Sequence, residues 1–300
     1  MNVSFPRQVI KTRLKLILAM LVLAALVMPV CGQQTAEKWL EEGRALYDQS
    51  KYDDAILAYD EAIRLDPEYA TAWAAKGLAL AMQGKYADAI QAFDEAVRLD
   101  PKDAAAWNYK GETLRRQGKY ADAIQAFDES IRLDPEYATT WFNKGGVLGD
   151  LGKYADAIQA FDEVIKLDSE YANAWAAKGL VLVMQGEYTE ALKCFDEVIR
   201  LDPEDAAVWV AKGLALGALG RTSEANAASV KAQELGFVGP ELAVVSWYSK
   251  GIALYNQGKY ADAIQAFDEA IRLDPEDAAA WYNKGVALAA MQGKYADAMD

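Results

Sequence analysis

The chain has 300 residues, 53% of them hydrophobic and 25% charged, with a formal net charge of −14. That apolar content suits a packed core along the whole length and excludes an acidic disordered chain. The acidic balance opposes binding to nucleic acid or to anionic lipid surfaces, and the absence of histidine removes the commonest general base and metal ligand.

The first 31 residues carry Arg7, Lys11, Arg13 and Lys15 and no acid. An uncharged apolar run follows from Leu16 to Val30, shorter than the ~20 residues that span a bilayer comfortably. A basic start, a short apolar stretch and Pro29 before small residues read as an export signal. Residues 1–32 are therefore expected to be a signal peptide or membrane anchor, with residues 33–35 as a short linker. Cleavage after Gly32 leaves Val30 and Gly32 at acceptable small-residue positions. Met28-Pro29-Val30-Cys31 resembles a lipobox, which implies lipidation of Cys31 as the alternative, although Met28 and Val30 depart from the usual residues. The expected location is extracytoplasmic, secreted or tethered, with membrane contact only through this segment.

One period organises the rest. The eight tryptophans, Trp39, Trp73, Trp107, Trp141, Trp175, Trp209, Trp247 and Trp281, are 34 residues apart, except for 38 between Trp209 and Trp247. Four residues after each comes a glycine (Gly43, Gly77 and their copies), and three further on a leucine (Leu46, Leu80 and their copies). These offsets mark one face of a helix. A turn at Gly84-Lys85-Tyr86 and its copies leads to a second helix. That helix carries Ala89 and Phe93 at helical spacing and ends at Pro101, as other copies end at Pro67, Pro135, Pro203 and Pro275, because proline cannot continue the hydrogen-bond ladder.

Glycine inside a helix costs ~1 kcal/mol relative to alanine, so its recurrence needs a reason. The expectation is close approach of the second helix against its small alanine, with tryptophan and the Phe/Tyr filling space on either side. The second helix also carries acid–base pairs four residues apart, such as Asp60/Arg64 and Asp128/Arg132. These are expected to form along its solvated face.

Two copies are irregular. The sixth has Ser229 where phenylalanine is expected and four extra residues near 236–243, read as either a weak joint or a lengthened loop. The eighth has one extra residue near Ala290 and reaches Asp300 midway through its expected second helix.

The 34-residue pattern, seen at Trp73, Gly77, Ala89, Phe93 and Pro101, resembles the tetratricopeptide repeat. Lys76 and Leu80, with their equivalents, replace two residues usual in that motif. The resemblance implies an all-α fold, a right-handed α-solenoid of tandem helix-turn-helix pairs. Repeats 1–6 would span 36–243 and repeats 7–8 would span 244–300, with a concave groove lined by the first helices. It places Asn108, Tyr109, Arg115, Arg116, Phe142, Asn143, Tyr248, Tyr255 and Asn256 on that groove. Arg115 and Arg116 form a basic spot suited to a partner carboxylate, and the tyrosines suit partner anchors. Asn143 matches one position of the family's carboxylate clamp, whose basic companions are missing here.

The expected function is a non-enzymatic scaffold binding peptide or helical segments of other proteins in the groove. Self-association as a surface structural protein is the alternative. No cofactor is expected, and Cys194, replacing alanine at its repeat position, reads as a buried thiol.

Overall fold

The computed structural model describes residues 35–237 and 239–297. The expectation for residues 1–32, including lipidation of Cys31, lies outside them. Among the described residues there are fifteen helices and no strand. The first helices of the pairs are α1 (Ala36–Asp48), α3 (Ala70–Met82), α5 (Ala104–Arg116), α7 (Ala138–Asp150), α9 (Ala172–Gln185), α11 (Ala206–Ala218), α13 (Pro240–Asn256) and α15 (Ala278–Asp297). The second helices are α2 (Tyr52–Leu65), α4 (Tyr86–Leu99), α6 (Tyr120–Leu133), α8 (Tyr154–Leu167), α10 (Tyr188–Leu201), α12 (Thr222–Glu234) and α14 (Tyr260–Leu273). They fall into two compact units, α1–α4 up to Leu99 and α5–α15 from Asp100. Within each unit a first helix packs on its own second helix, which packs on the next first helix.

The turns inside each pair follow from backbone sterics. Gly84, Gly118, Gly152, Gly186, Gly220 and Gly258 have φ between 70° and 83°, a left-handed conformation that costs residues with a Cβ ~1–2 kcal/mol. The next N–H then returns to a carbonyl near the end of the first helix, as Lys85 does to Leu80 at 3.0 Å and Lys153 to Leu148 at 2.9 Å. That bond closes a Schellman-type cap. Ser50 occupies the same position in the first repeat at φ 60°.

The recurring helical glycine has a different partner from the expected alanine. A Cβ on Gly77, Gly111, Gly145, Gly179 or Gly251 would lie 2.5–2.9 Å from the ring of Phe93, Phe127, Phe161, Phe195 or Phe267. Gly43 meets the Tyr59 ring in the same way. All six rings are buried. The glycine therefore makes room for an aromatic ring of its own repeat, while the alanines around it, such as Ala89 and Ala123, are fully buried beside it.

Tryptophan is not the core filler it was expected to be. It is half-buried in the first seven repeats and exposed at Trp281, and the N–H of Trp73, Trp107, Trp141, Trp209 and Trp281 donates to a proline carbonyl six residues earlier at 3.0–3.4 Å. Trp175 does the same to Ser169. Each of these six rings thus pins the turn that enters its helix. The lysine three residues on lies over the ring face, at 4.4–5.8 Å from Lys76 to Lys284.

The ion pairs also differ from the spacing rule. Arg64 and Arg132 bond to Glu61 and Glu129, three residues earlier, at 2.8 Å. The aspartates are drawn away to the following helix: Asp60 to Lys76, Asp128 to Lys144, Asp162 to Lys178, Asp196 to Lys212 and Asp268 to Lys284, at 2.5–2.6 Å. The lysine that departs from the family motif thus joins two repeats by charge while covering a tryptophan. Each exposed pair contributes below about 1 kcal/mol.

The irregular copies resolve clearly. The four extra residues become one more turn of helix rather than a loop, since α13 has 17 residues against 13 in α11. Pro240 starts it, at a position where a missing N–H costs nothing. With Ser229 in place of a ring, Val245 comes within 3.3 Å of a Cβ built on Gly213. It is fully buried against Val210 and Ala232. At the other end, α15 runs unbroken through Gly293 to Asp297, without the expected turn. Gly285 there has nothing within 4 Å of its Cβ direction.

The two glycine environments give opposite mutants. Gly145→Ala is expected to destabilise by about 1–3 kcal/mol, because the Phe161 ring must move in a packed core. Gly285→Ala is expected to stabilise by up to about 1 kcal/mol through helix propensity alone. Urea unfolding followed by circular dichroism checks both, and a harmless Gly145→Ala would refute the ring-slot account.

Candidate functional site

The predicted groove residues of the second unit separate into three groups. Asn108 and Tyr248 occupy the position just after tryptophan and are buried, at 2% and 4% exposure. Asn108 accepts from Asn143 Nδ2 at 3.0 Å, and the Tyr248 hydroxyl accepts from Asn283 Nδ2 at 2.8 Å. Both bonds join residues 35 apart, so these positions tie neighbouring first helices together. Burial pushes the Tyr248 phenol well above its ordinary pKa. Phe142 packs edge-on to Tyr171 at 5.6 Å and tilted on Phe161 at 5.7 Å. The Tyr109 hydroxyl is hydrogen-bonded to Tyr137. These side chains spend much of their surface on the array itself.

Arg115 and Arg116 form the second group. Both are already bound to a carboxylate of their own helix. Arg115 makes a bidentate pair with Glu112 at 2.8 Å on both arms, and Arg116 reaches Glu112 Oε1 at 2.9 Å. Burial works to raise the Glu112 pKa, yet the hydrogen bonds and charges of the two arginines outweigh it and hold the carboxyl below its ordinary value. The basic spot expected for a partner carboxylate thus already shares one carboxylate of its own helix between its two arginines.

Tyr255 and Asn256, near the end of α13, are half-buried and exposed respectively. Tyr255 leans on Tyr260 with ring centroids 5.4 Å apart.

Exposed apolar surface lies elsewhere on the same helix face. Leu180 and Met184 of α9 are 48% and 63% exposed, one turn apart, while Gly179 and Leu182 beside them are buried. In the first unit, Met82 of α3 is 50% exposed. Within the second unit a cavity of about 320 Å³ opens between repeats five and eight, walled by Val183, Tyr188, Leu214 and Val244 and edged by Asp274 and Asp277. Sequence reasoning missed Tyr188 and Val244 because they lie outside the periodic groove positions. The 38-residue spacing was the one signal that pointed there.

Cys194 is buried, with its thiol pushed up to about 11 by desolvation, which makes it a packing group. Among the described residues, no three His, Cys, Asp or Glu side chains sit where they could hold a metal ion. None of the described helices is long and apolar enough to cross a membrane.

Glu112 supplies a pH test. A carboxyl whose folded pKa is depressed adds stability above its unfolded value and loses it as pH falls through the folded one. Glu112→Gln is expected to be less stable than wild type at neutral pH, with the gap closing as the pH falls through the depressed value at which the wild-type carboxyl protonates. Urea midpoints across that range check it, and a gap that stays constant would refute the pairing.

The geometry agrees with comparisons to known proteins. A family model described as tetratricopeptide repeat matches residues 40–104, 83–138, 142–206, 177–232 and 248–300. A crystal structure of a tetratricopeptide repeat protein from Parabacteroides merdae aligns at TM-score 0.60 and 18% identity, covering 84% of this chain and 98% of that one. YrrB, a tetratricopeptide protein described as having an unusual peptide-binding site, aligns at TM-score 0.51 and 20% identity over 65% of this chain and 99% of its own. These two likenesses show the fold. An uncharacterized protein of Methanocaldococcus jannaschii is 37% identical over 54 residues, which are 18% of this chain. The chain spans 62% of that protein's length. With its model matched along most of the sequence, and with the ring slots and pinned turns repeating in register, the chain belongs to the tetratricopeptide repeat family.

Proposed function

We propose that this protein is a non-enzymatic scaffold that holds peptide or helical segments of partner proteins on the exposed face of its first helices. The observation that carries this is the pair Leu180 and Met184, large apolar side chains left in solvent on a helix whose other face is buried. Unbranched methionine adapts to varied partners, and repeat arrays commonly bind through such continuous faces. Peptide binding by YrrB, a protein of the same fold, supports the reading.

The scaffold is proposed to act outside the cytoplasm, secreted or tethered by its N-terminal segment. Support comes from the four basic residues and the apolar run that precede Cys31. Mass spectrometry of the mature N-terminus distinguishes cleavage after Gly32, an intact anchor and lipidation of Cys31.

Self-association is the second reading, favoured by the exposed Trp281 and Tyr282 of α15, at 52% and 72%. One experiment separates the two. The scaffold reading expects a monomer by light scattering that captures defined partners after crosslinking in its native cells. Leu180→Glu with Met184→Glu should reduce capture by about tenfold or more without loss of helix content. Capture unchanged by the double variant would sink the groove. A mass that climbs with concentration would support association through α15 instead.

A further inference from the structure

We propose that the cavity between repeats five and eight is a specificity pocket. It takes one apolar side chain of a bound peptide, and an adjacent lysine or arginine of that peptide meets Asp274 and Asp277. The proposal rests on the scaffold reading and narrows its ligand.

The walls fit the first half of that description. Val183, Leu214 and Val244 present methyl groups, and Tyr188 and Tyr248 present rings. The Tyr248 hydroxyl accepts from Asn283 Nδ2 at 2.8 Å, which fixes that ring in the wall. A volume of about 320 Å³ lies at the small end of ligand pockets, and accommodates a side chain with its neighbour rather than a large cofactor.

The rim fits the second half. Among the described residues, no basic side chain lines the cavity. Asp274 accepts from Glu276 N at 3.1 Å through Oδ1 alone, and Asp277 caps α15 through its own Oδ1, from Ala279 N at 2.9 Å and Ala280 N at 3.1 Å. Each keeps a second carboxylate oxygen for an incoming cation. The net charge of −14 adds long-range attraction for a basic partner.

The pocket also has an origin peculiar to this chain. Aspartates equivalent to Asp274 recur in the regular repeats, at Asp66, Asp134 and Asp202 for example. What is particular is the wall. Ser229 removes a ring, Val245 takes over the contact at Gly213, and Val244 lines the cavity at a position, three residues before tryptophan, where regular copies carry alanine, as at Ala172 and Ala206. The irregular sixth repeat and the helix after it thus border an apolar hole that two carboxylates also line.

The test uses the full chain and fluorescein-labelled decapeptides of Gly and Ser with a central Leu-Lys, Phe-Lys, Leu-Glu or Ala-Lys pair, read by fluorescence anisotropy. Leu-Lys or Phe-Lys is expected to bind about tenfold more tightly than Leu-Glu and Ala-Lys, with affinity falling as salt rises. Ala218→Leu and Ala279→Leu fill the cavity from two different helices, and each should weaken binding about tenfold. Asp274→Asn with Asp277→Asn keeps the turn and the cap, since asparagine caps as well as aspartate, and should weaken binding about fivefold. Circular dichroism confirms that each variant keeps its helices. Peptides that bind regardless of both fillings, or equally with glutamate and lysine, would overturn the pocket while leaving the groove reading intact. A wild type that binds none of the peptides, and whose capture of partners survives Leu180→Glu with Met184→Glu, would overturn both.

Discussion

Pairing of the helices depends on a side chain that is absent. In six repeats the glycine four residues after tryptophan leaves a slot, and an aromatic ring of the same repeat fills it so closely that a Cβ would collide. The glycine costs ~1 kcal/mol of helix propensity. Burying a large aromatic ring gains about 1.5–3 kcal/mol, so the exchange favours the pair. The slot lies within one repeat, which makes each helix pair a local decision that the sequence repeats.

Contacts between repeats rest on other chemistry. The aspartate of a second helix meets the lysine of the next first helix, and that lysine covers the tryptophan whose N–H pins the intervening turn. Each contact is weak alone, because all three groups keep partial contact with water. Their value lies in direction: helix face, turn and neighbour are fixed by one cluster, once per repeat. This is nearest-neighbour construction, in which a change at one repeat is felt by the next and little beyond.

Much of this was legible in the sequence, for identifiable reasons. Period, helix faces and turns follow from backbone constraints that single residues announce: a left-handed glycine, a terminating proline, apolar residues every third or fourth position. Partner choice was not announced. Spacing of four suggested Asp60 with Arg64, yet the closest cation to Asp60 is Lys76, contributed by another helix. Spacing also concealed that Asn108 would turn to Asn143 rather than to solvent. Glu112 was the exception. It lies three and four residues before Arg115 and Arg116, so helical geometry alone places it within reach of both. The cavity had no signature beyond an irregular interval, because its walls come from four repeats.

The sixth repeat shows how such an array acquires an individual surface. Losing the ring at Ser229 would leave a void beside Gly213, and voids in a packed core are costly. Four inserted residues resolve this with little disturbance, since four residues of helix turn about 400° and return the following face within about 40° of its former direction. Lys250 therefore still covers the Trp247 ring, Leu254 still accepts the closing bond of the turn, and the Phe267 ring still fills the slot at Gly251. Val245, two residues before Trp247, packs into the vacated space. Its neighbour Val244 stands where regular copies carry alanine, as at Ala172 and Ala206, and lines the cavity. A lost ring is thus compensated by larger side chains on the next helix, and the surface they leave is the part of the molecule that its repeats do not dictate.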